Sequence, residues 1–167
     1  MKIRFEKSAD VAAIFALNEA AFDTDAEARL VDRLRNDVTP YISLVAESND
    51  QIIGNIVFTP VTLDKYSGGL LLGLAPMAVA PDRQNTGVGS ALVDAGLAAC
   101  REASAVAVVV LGHPAYYPRF GFTPASGFGL ACDYDVPDEA FMAIELQPGS
   151  LAACSGTLHY HPTFAGV

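Results

Sequence analysis

The sequence is poor in basic residues, in cysteine and in long apolar runs. Ten Lys and Arg stand against 19 Asp and Glu among its 167 residues, which gives a formal net charge of −9. Nucleic-acid binding requires clustered Lys and Arg, so this balance argues against a nucleic-acid partner. The three cysteines are far apart and no Cys-x-x-Cys occurs, a pattern that indicates neither a zinc site nor a disulfide framework.

The hydrophobic segments are too short to cross a membrane. The longest of them, 70–80 and 105–111, are well below the ~20 residues that a spanning helix needs. The N-terminal residues are charged and no apolar region follows them, so they do not resemble a signal peptide. We therefore predict no membrane partner and a reducing, cytoplasmic location.

The composition is that of a folded domain with a sizeable core. Hydrophobic residues make up 51% of the chain and charged residues 17%. A chain of 167 residues has the length of one domain and can bury roughly 70% of its unfolded surface. We predict a single domain over residues 1–167. Its acidic surface would tolerate a cationic partner such as an amine.

Hydrophobic spacing predicts the element order β-α-α-β-β-β-α-β-α-β-β. Segments 41–48 and 51–63 alternate as the strands of a hairpin, and 70–79 is the next strand. An antiparallel series that leads into a β-α-β crossover predicts a mixed α+β fold with helices on both faces of a sheet. The crossover consists of a helix over 88–101 and the β-branched strand 105–111. Shorter candidates follow, with one or two helical turns at 115–120 and strands at 128–132, 141–146 and 157–161.

Two glycines open the helix that follows the buried strand 70–79. The first turn of a helix has unpaired N–H groups and the positive end of the helix dipole, and Gly87 and Gly89 allow a ligand to approach the backbone. This segment is therefore a candidate phosphate site. It lacks the Lys of a P-loop, and Leu92 stands where a Rossmann fingerprint has Gly or Ala. A glycine-rich turn without a ligand is the alternative at this point.

The same segment resembles the acyl-CoA signature of the GCN5-related N-acetyltransferase (GNAT) family, which has the form Gln/Arg-x-x-Gly-x-Gly/Ala. Downstream, 117–122 resembles the Tyr-x-x-x-Gly-Phe element of that family. The longer run 111–122, Leu-Gly-His-Pro-Ala-Tyr-Tyr-Pro-Arg-Phe-Gly-Phe, is similar to a branch of predicted bacterial N-acetyltransferases. The resemblance extends over nearly the whole chain, with an acetyl-CoA-binding core at about 70–124 and C-terminal strands at 125–167. The signature residues are Gln84, Asn85, Thr86, Gly87, Val88 and Gly89.

The resemblance implies an acetyl-CoA cosubstrate and a role for each part of the motif. The pantetheine arm would pair with the backbone of Met77 and Val79, and the pyrophosphate would bind the amides from Gln84 to Ser90. The amide of Val79 would stabilise the developing oxyanion, and Tyr117 would donate a proton or a hydrogen bond to the leaving sulfur. The family fold has a mostly antiparallel sheet, splayed at the β-α-β cofactor cleft between 74–79 and 105–111.

Two residues have both a functional and a structural interpretation. Glu27 could act as a base or contact the acceptor, but the order Thr24-Asp25-Ala26-Glu27 also has the form of a capping box, which we favour. His113 could act as a base or contact the substrate, although a structural histidine bonded within the loop is favoured. We interpret Tyr116 as a packing residue, and the pattern His159-Tyr160-His161 does not lead us to expect a metal.

The sequence thus predicts an N-acetyltransferase that transfers an acetyl group from acetyl-CoA to a primary amine in a direct ternary complex. The acceptor is a small-molecule or peptide amine of unknown identity, and pairing of sheet edges would allow a homodimer. One alternative is a non-catalytic acyl-CoA-binding or regulatory module of the same fold. A Rossmann nucleotide-binding domain is disfavoured by Leu92 and by the antiparallel strand series.

Overall fold

The computed structural model describes residues 1–66, 68–152 and 154–167. These residues contain three helices and ten strands, and the strands form two sheets. Five 3₁₀ turns near the termini and in the loops connect several of these elements, and a sixth, Tyr117–Phe120, follows the last long strand. The elements in chain order are β1 (Lys2–Phe5), α1 (Val11–Phe22), α2 (Ala26–Asp37), β2 (Ile42–Ser48), β3 (Gln51–Pro60), β4 (Thr62–Leu63), β5 (Leu70–Val79), α3 (Val88–Glu102), β6 (Ala105–Leu111), β7 (Thr123–Pro124), β8 (Leu130–Cys132), β9 (Phe141–Glu145) and β10 (Gly156–His159).

The larger sheet has seven strands in the order β1-β2-β3-β5-β6-β9-β7, and the smaller one has the order β4-β10-β8. In the larger sheet only β5 and β6 are parallel, and α3 connects them. The other five pairs in that sheet are antiparallel. The predicted mixed fold with a mostly antiparallel sheet and one β-α-β crossover is confirmed.

Alternation along the central strands divides the core between the two faces of the larger sheet. On β3, Ile56 and Phe58 belong to the cluster that packs against α3, whereas Val57 packs with Ile14 of α1 and Leu30 of α2. Because successive side chains of a strand point to opposite faces, α3 covers one face and α1 with α2 covers the other. The smaller sheet adds a third cluster, which includes Leu63 of β4 and Leu158 of β10.

Several predicted elements differ from the structure by one or two residues at their ends, and two others differ more substantially. The strand expected over 51–63 ends at Pro60, which lacks a backbone N–H, and Thr62–Leu63 pairs instead with β10 in the smaller sheet. The helical turns expected over 115–120 reduce to the 3₁₀ turn Tyr117–Phe120, which ends at Gly121 with a φ of 103°. The positive φ favours glycine and stops the turn there.

The parallel strands β5 and β6 separate along part of their length. Their pairing extends from Leu70 opposite Ala105 to Leu74 opposite Val110. Beyond Leu74, β5 continues to Val79 in a pair with β3 alone. The edge of β5 that faces β6 is therefore open over this last part, which predicts a cleft beside it.

Among the described residues, no helix is both long and apolar enough to cross a bilayer.

Candidate active site

A cleft of about 830 Å³ lies where β5 separates from β6. The N-terminus of α3 forms one side of it, and the segment between β6 and the 3₁₀ turn forms the other. Nine residues predicted from the sequence line this one cleft, although they come from positions up to 40 residues apart. They are Met77, Val79, Gln84, Asn85, Gly87, Gly89, Ser90, His113 and Tyr117.

The first turn of α3 presents unpaired backbone donors to the cleft. Gly87 is the residue before the helix and has a φ of 94°. The first helical hydrogen bond runs from the Ala91 amide to the Gly87 carbonyl, at 3.1 Å. The amides of Val88, Gly89 and Ser90 therefore have no partner within the helix. Gly87, which precedes them, has no side chain that could cap them. These donors, together with the helix dipole, favour an anion at this position.

Gly89 keeps the cleft open over these amides. A Cβ atom at this position would lie 3.0 Å from the Tyr116 hydroxyl oxygen and 3.6 Å from Cε of Met77. Any larger side chain would therefore occupy the space above the first turn. The Val88 side chain is buried in the core, so only its backbone amide is available for a ligand. Thr86 is exposed and its hydroxyl donates to the Arg83 carbonyl within the loop.

The backbone of β5 faces the cleft at Val79. The Val79 carbonyl accepts a hydrogen bond from the Gln84 side chain at 3.2 Å, and the next amide, of Ala80, donates to β3 at Ile53. Backbone groups of successive strand residues point to opposite edges. The backbone groups of Val79, and by the same alternation those of Met77, therefore point away from β3 and toward the cleft.

Tyr117 is buried in the wall of the cleft. Its ring lies directly against Gly112, where any Cβ would collide with it. It packs edge-on against Tyr116 and Phe122, with ring centroids 5.1 and 5.6 Å away. Burial raises the pKa of Tyr117 to about 12, and the neighbouring Tyr116 adds to this effect. The phenol is therefore a hydrogen-bond donor at neutral pH.

Tyr116 and Arg119 also line the cleft. The sequence predicted only a packing role for Tyr116 and no role for Arg119. The Tyr116 hydroxyl lies 3.2 Å from Oγ of Ser90 at the start of α3. The Arg119 guanidinium stacks on the Tyr116 ring at 4.4 Å and donates to the Tyr116 carbonyl. Of the described residues that line the cleft, Arg119 is the only Lys or Arg. No spacing in the sequence distinguishes Tyr116 from the packing aromatics around it.

His113 is exposed at the mouth of the cleft. Its carbonyl accepts hydrogen bonds from the amides of Tyr116 and Tyr117, but its ring forms none with the described residues. The favoured prediction of a ring bonded within the loop is therefore wrong.

Glu27 does not line this cleft and does not cap α2. The helix begins at Ala26 with Asp25 before it, and the Asp25 side chain does not cap it. The Ala26 amide donates to the Thr24 hydroxyl instead, at 3.4 Å. The predicted capping box is wrong because Glu27 is the second helical residue and not the third. Its carboxylate instead lines a neighbouring pocket of about 330 Å³.

The part of the chain that the structure describes contains no candidate metal site, that is, no group of three or more His, Cys, Asp or Glu side chains placed to hold a metal ion. His159 contacts the carboxylates of Asp133 and Asp64. These contacts join the smaller sheet to its neighbouring loops, away from the cleft.

The fold and the cleft agree with the comparison to known proteins. A family model described as an acetyltransferase (GNAT) domain matches residues 39–124, which include the strand pair, the signature loop and the Gly-Phe element. The chain belongs to the GNAT acetyltransferase family. The sequence-based resemblance and the prediction of an acyltransferase are both confirmed.

Individual relatives resemble the chain over almost its whole length. It is 38% identical over 166 residues to the protein of Escherichia coli (strain K12) named uncharacterised N-acetyltransferase YhbS, with 98% of each chain covered. The crystal structure of YhbS from Escherichia coli in complex with CoA has a TM-score of 0.91 at 37% identity and covers 98% of this chain and 91% of that one. A GNAT acetyltransferase from Brucella melitensis in complex with acetyl-CoA has a TM-score of 0.80 at 34% identity, covering 98% and 97%.

Proposed function

We propose that the protein uses acetyl-CoA to acetylate a primary amine, with both substrates bound in one ternary complex. The observation that carries this proposal is the cleft, which places the unpaired amides of α3, the open edge of β5 and the Tyr117 phenol along one channel. The relatives solved with CoA and with acetyl-CoA support the choice of cosubstrate.

The residues present fit the phosphates of CoA. The amides of Val88, Gly89 and Ser90 have no helical partner, and a Cβ at Gly87 would meet nothing within 4 Å. Arg119 is the cation that lines the same cleft. A protein with a net charge of −9 repels a polyanion at long range, so these local donors must provide the attraction.

The chemistry needs two hydrogen-bond donors beside the thioester that acetyl-CoA supplies. We assign the Val79 amide to the carbonyl oxygen, where negative charge develops as the amine nitrogen forms its bond to carbon. We assign the Tyr117 hydroxyl to the sulfur, which leaves as the C–S bond breaks. The attacking amine is neutral, and the proton that its nitrogen carries in excess after attack passes to solvent water, which leaves the neutral amide product.

The raised pKa of Tyr117, about 12, favours hydrogen bonding over complete proton transfer. An ordinary thiol has a pKa of about 8.5, so a thiolate is a weaker base than the Tyr117 phenolate. The phenol therefore stabilises the leaving sulfur and keeps its own proton, and CoA takes up a proton from solvent afterwards.

The proposal is tested by calorimetric titration of the purified protein with acetyl-CoA and with NAD, followed by measurement of thiol release across a panel of primary amines. We expect acetyl-CoA to bind, NAD to show no heat of binding and at least one amine to accelerate thiol release. Binding without thiol release for any amine would instead indicate the non-catalytic acyl-CoA module. Absence of acetyl-CoA binding would overturn the assignment of the cleft.

A further inference from the structure

A second pocket, of about 330 Å³, adjoins the cofactor cleft. The two cavities share three lining residues, Phe22, Leu74 and Leu111. Leu74 and Leu111 mark the place where β5 and β6 separate. A molecule in the second pocket would therefore lie next to the part of the cleft where β5 has just become open.

The walls of this second pocket are apolar and aromatic. Leu30 and Phe164 are buried beside it, and the Tyr160 ring packs edge-on against Tyr134 and Phe164, with centroids 5.7 and 5.4 Å away. Tyr134 and Val167 line the pocket and remain 40% and 44% exposed. Large apolar side chains at an open rim favour an occupant that covers them with apolar surface.

One carboxylate stands among these apolar walls without a partner. Among the described residues that line the pocket, Glu27 has the only charged side chain, and its Oε2 atom is buried with no hydrogen bond to a described residue. The Tyr160 hydroxyl, in the same wall, is also buried and unpartnered. Buried polar groups without partners are costly, and a carboxylate is the costliest kind. Both groups gain a partner if a bound molecule brings hydrogen-bond donors.

An ammonium group satisfies this arrangement. It carries three donors, enough for both the carboxylate and the hydroxyl, and aromatic rings also attract a cation. The volume is at the lower end of ligand pockets. Among the described lining residues, only Tyr134 adds a further polar group, its hydroxyl. A polyhydroxylated or polycationic acceptor would leave most of its polar groups without partners.

We infer that this pocket is the acceptor site and that it selects a compact monoamine with an apolar or aromatic body. Glu27 and Tyr160 bind its amino group in the ammonium form, which releases a proton to solvent water before the neutral nitrogen attacks the thioester. This inference rests on the proposed acetyl transfer, because it assigns the second substrate of that reaction. Glu27 binds the acceptor, and the apolar walls determine its class.

Steady-state thiol release with n-propylamine, n-pentylamine and 2-phenylethylamine tests the inference. We expect kcat/KM to rise by about threefold to fourfold for each added methylene until the pocket is filled. The aminoglycoside kanamycin and a lysine-containing peptide serve as polar comparison acceptors, for which slower turnover is expected. Preference for kanamycin or the peptide would overturn the inference while leaving the proposed acetyl transfer intact.

Variants locate the effect in the pocket. We expect Glu27→Gln to raise the KM for 2-phenylethylamine by about 10-fold to 100-fold, the usual value of a hydrogen bond to a charged group. Tyr160→Phe should raise it by roughly twofold to tenfold. Glu19→Gln, which removes an exposed carboxylate of α1, is the matched control and should leave the KM unchanged.

Acetyl-CoA titration separates failure of this inference from failure of the proposed function. Glu27→Gln should bind acetyl-CoA with the affinity of the original protein, which also shows that the variant is folded. Calorimetric titration of 2-phenylethylamine into the CoA complex gives a second readout, independent of turnover. An unchanged KM and an unchanged amine affinity in a folded Glu27→Gln variant would exclude Glu27 from the acceptor site. If the original protein does not bind acetyl-CoA, the proposed function itself fails.

Discussion

Individual side chains in this protein have roles that depend on a few close partners. Tyr117 is recognisable in the sequence from its position before the Gly-Phe element, but its burial and its contact with Gly112 are visible only in the fold. Tyr116, one residue earlier, has the same chemistry and reaches Ser90 instead. Neighbouring residues of one type thus acquire different roles because their rings point in different directions.

Replacement of Tyr117 by Phe should separate these roles. The variant keeps the packed ring and loses the hydroxyl, so we expect kcat to fall by about 10²-fold, at the lower end of the range for this kind of catalysis. Affinity for acetyl-CoA should stay within about threefold by calorimetry, since aromatic packing is retained. Tyr116→Phe is the control and should weaken acetyl-CoA binding more than it lowers kcat. Undiminished turnover of Tyr117→Phe would remove the hydroxyl from the mechanism.

Asp10 provides a residue-scale test of stability. Its carboxylate is 7% exposed and accepts bonds from both terminal nitrogens of Arg4, at 2.7 and 3.0 Å, and from the Lys7 amide at 2.7 Å. We expect Asp10→Asn to lower the free energy of unfolding by about 1.5–3 kcal/mol, measured by urea denaturation at pH 7. Asp37→Asn, at an exposed residue near the end of α2, should have almost no effect.

The same pair predicts how stability depends on acid. The hydrogen bonds from Arg4 hold the pKa of Asp10 below its ordinary value, although burial opposes this shift. A carboxyl group with a lowered pKa stabilises the fold above its unfolded pKa, near 3.9, and loses this contribution as the pH falls through the folded value. The stability difference between the original protein and Asp10→Asn should therefore shrink below about pH 4. A difference that stays constant down to pH 2 would contradict this assignment.

At the level of secondary structure, the start of α3 needs glycine at two positions for two different reasons. The sequence motif shows both glycines, but the reasons are visible only in the packing around them. Gly87 is needed because its φ is positive. Gly89 is needed because a side chain there would come too close to Tyr116 and Met77. The motif was therefore sufficient to locate the loop. It could not reveal that Tyr116 and Arg119, some 30 residues further along the chain, form the opposite wall.

Replacement of Gly89 by Val should fill the space above the first turn of α3. We expect the dissociation constant for acetyl-CoA to rise by more than about tenfold, which corresponds to a loss of about 1.4 kcal/mol. Gly127→Val is the control, because a Cβ there meets nothing within 4 Å and Gly127 lies outside the cleft. Both variants should keep the far-UV circular dichroism of the original protein. Unchanged acetyl-CoA affinity in Gly89→Val would show that the phosphates bind elsewhere.

At the scale of the whole molecule, one histidine connects the three strands of the smaller sheet, because it lies between two carboxylates. His159 of β10 contacts Asp133, just after β8, and Asp64, just after β4. The hydrogen bond to Asp133, with a second one to Asp64, raises the pKa of His159 above its ordinary value. All three side chains are at least partly exposed to solvent, so the contribution of this group is screened and modest.

The sign of its pH dependence follows from the raised pKa. A histidine of this kind stabilises the fold fully below its unfolded pKa, near 6.5, and loses this contribution as the pH rises through the folded value. The difference in Tm between the original protein and His159→Asn should therefore be largest near pH 6 and decrease toward pH 9. Thermal unfolding at constant ionic strength measures it. A difference that grows with pH would contradict the assignment.

Three features could be predicted from the sequence alone, namely the family, the order of the long elements from β1 to β6 and the position of the glycine-rich loop before α3. These depend on local patterns, namely hydrophobic period, helix-start glycines and short motifs, which are written in consecutive residues. The end of β3 at Pro60 could not be predicted in this way. The next residues form β4, which pairs with β10, and this pairing joins residues about 95 apart in the chain. The sequence also led to a capping role for Glu27, because a short motif carries no information on what surrounds a side chain.

Which residues meet in space depends on the tertiary fold. The separation of β5 from β6 opens the cleft, and the return of the C-terminal residues Tyr160 and Phe164 to Glu27 of α2 builds the pocket beside it. Such contacts join residues more than 100 positions apart, and their free energy comes from burial of apolar surface, which is non-directional and leaves no local signature. The motif at the start of α3 can thus be recognised in the sequence, whereas the pocket beside the cleft is visible only in the fold.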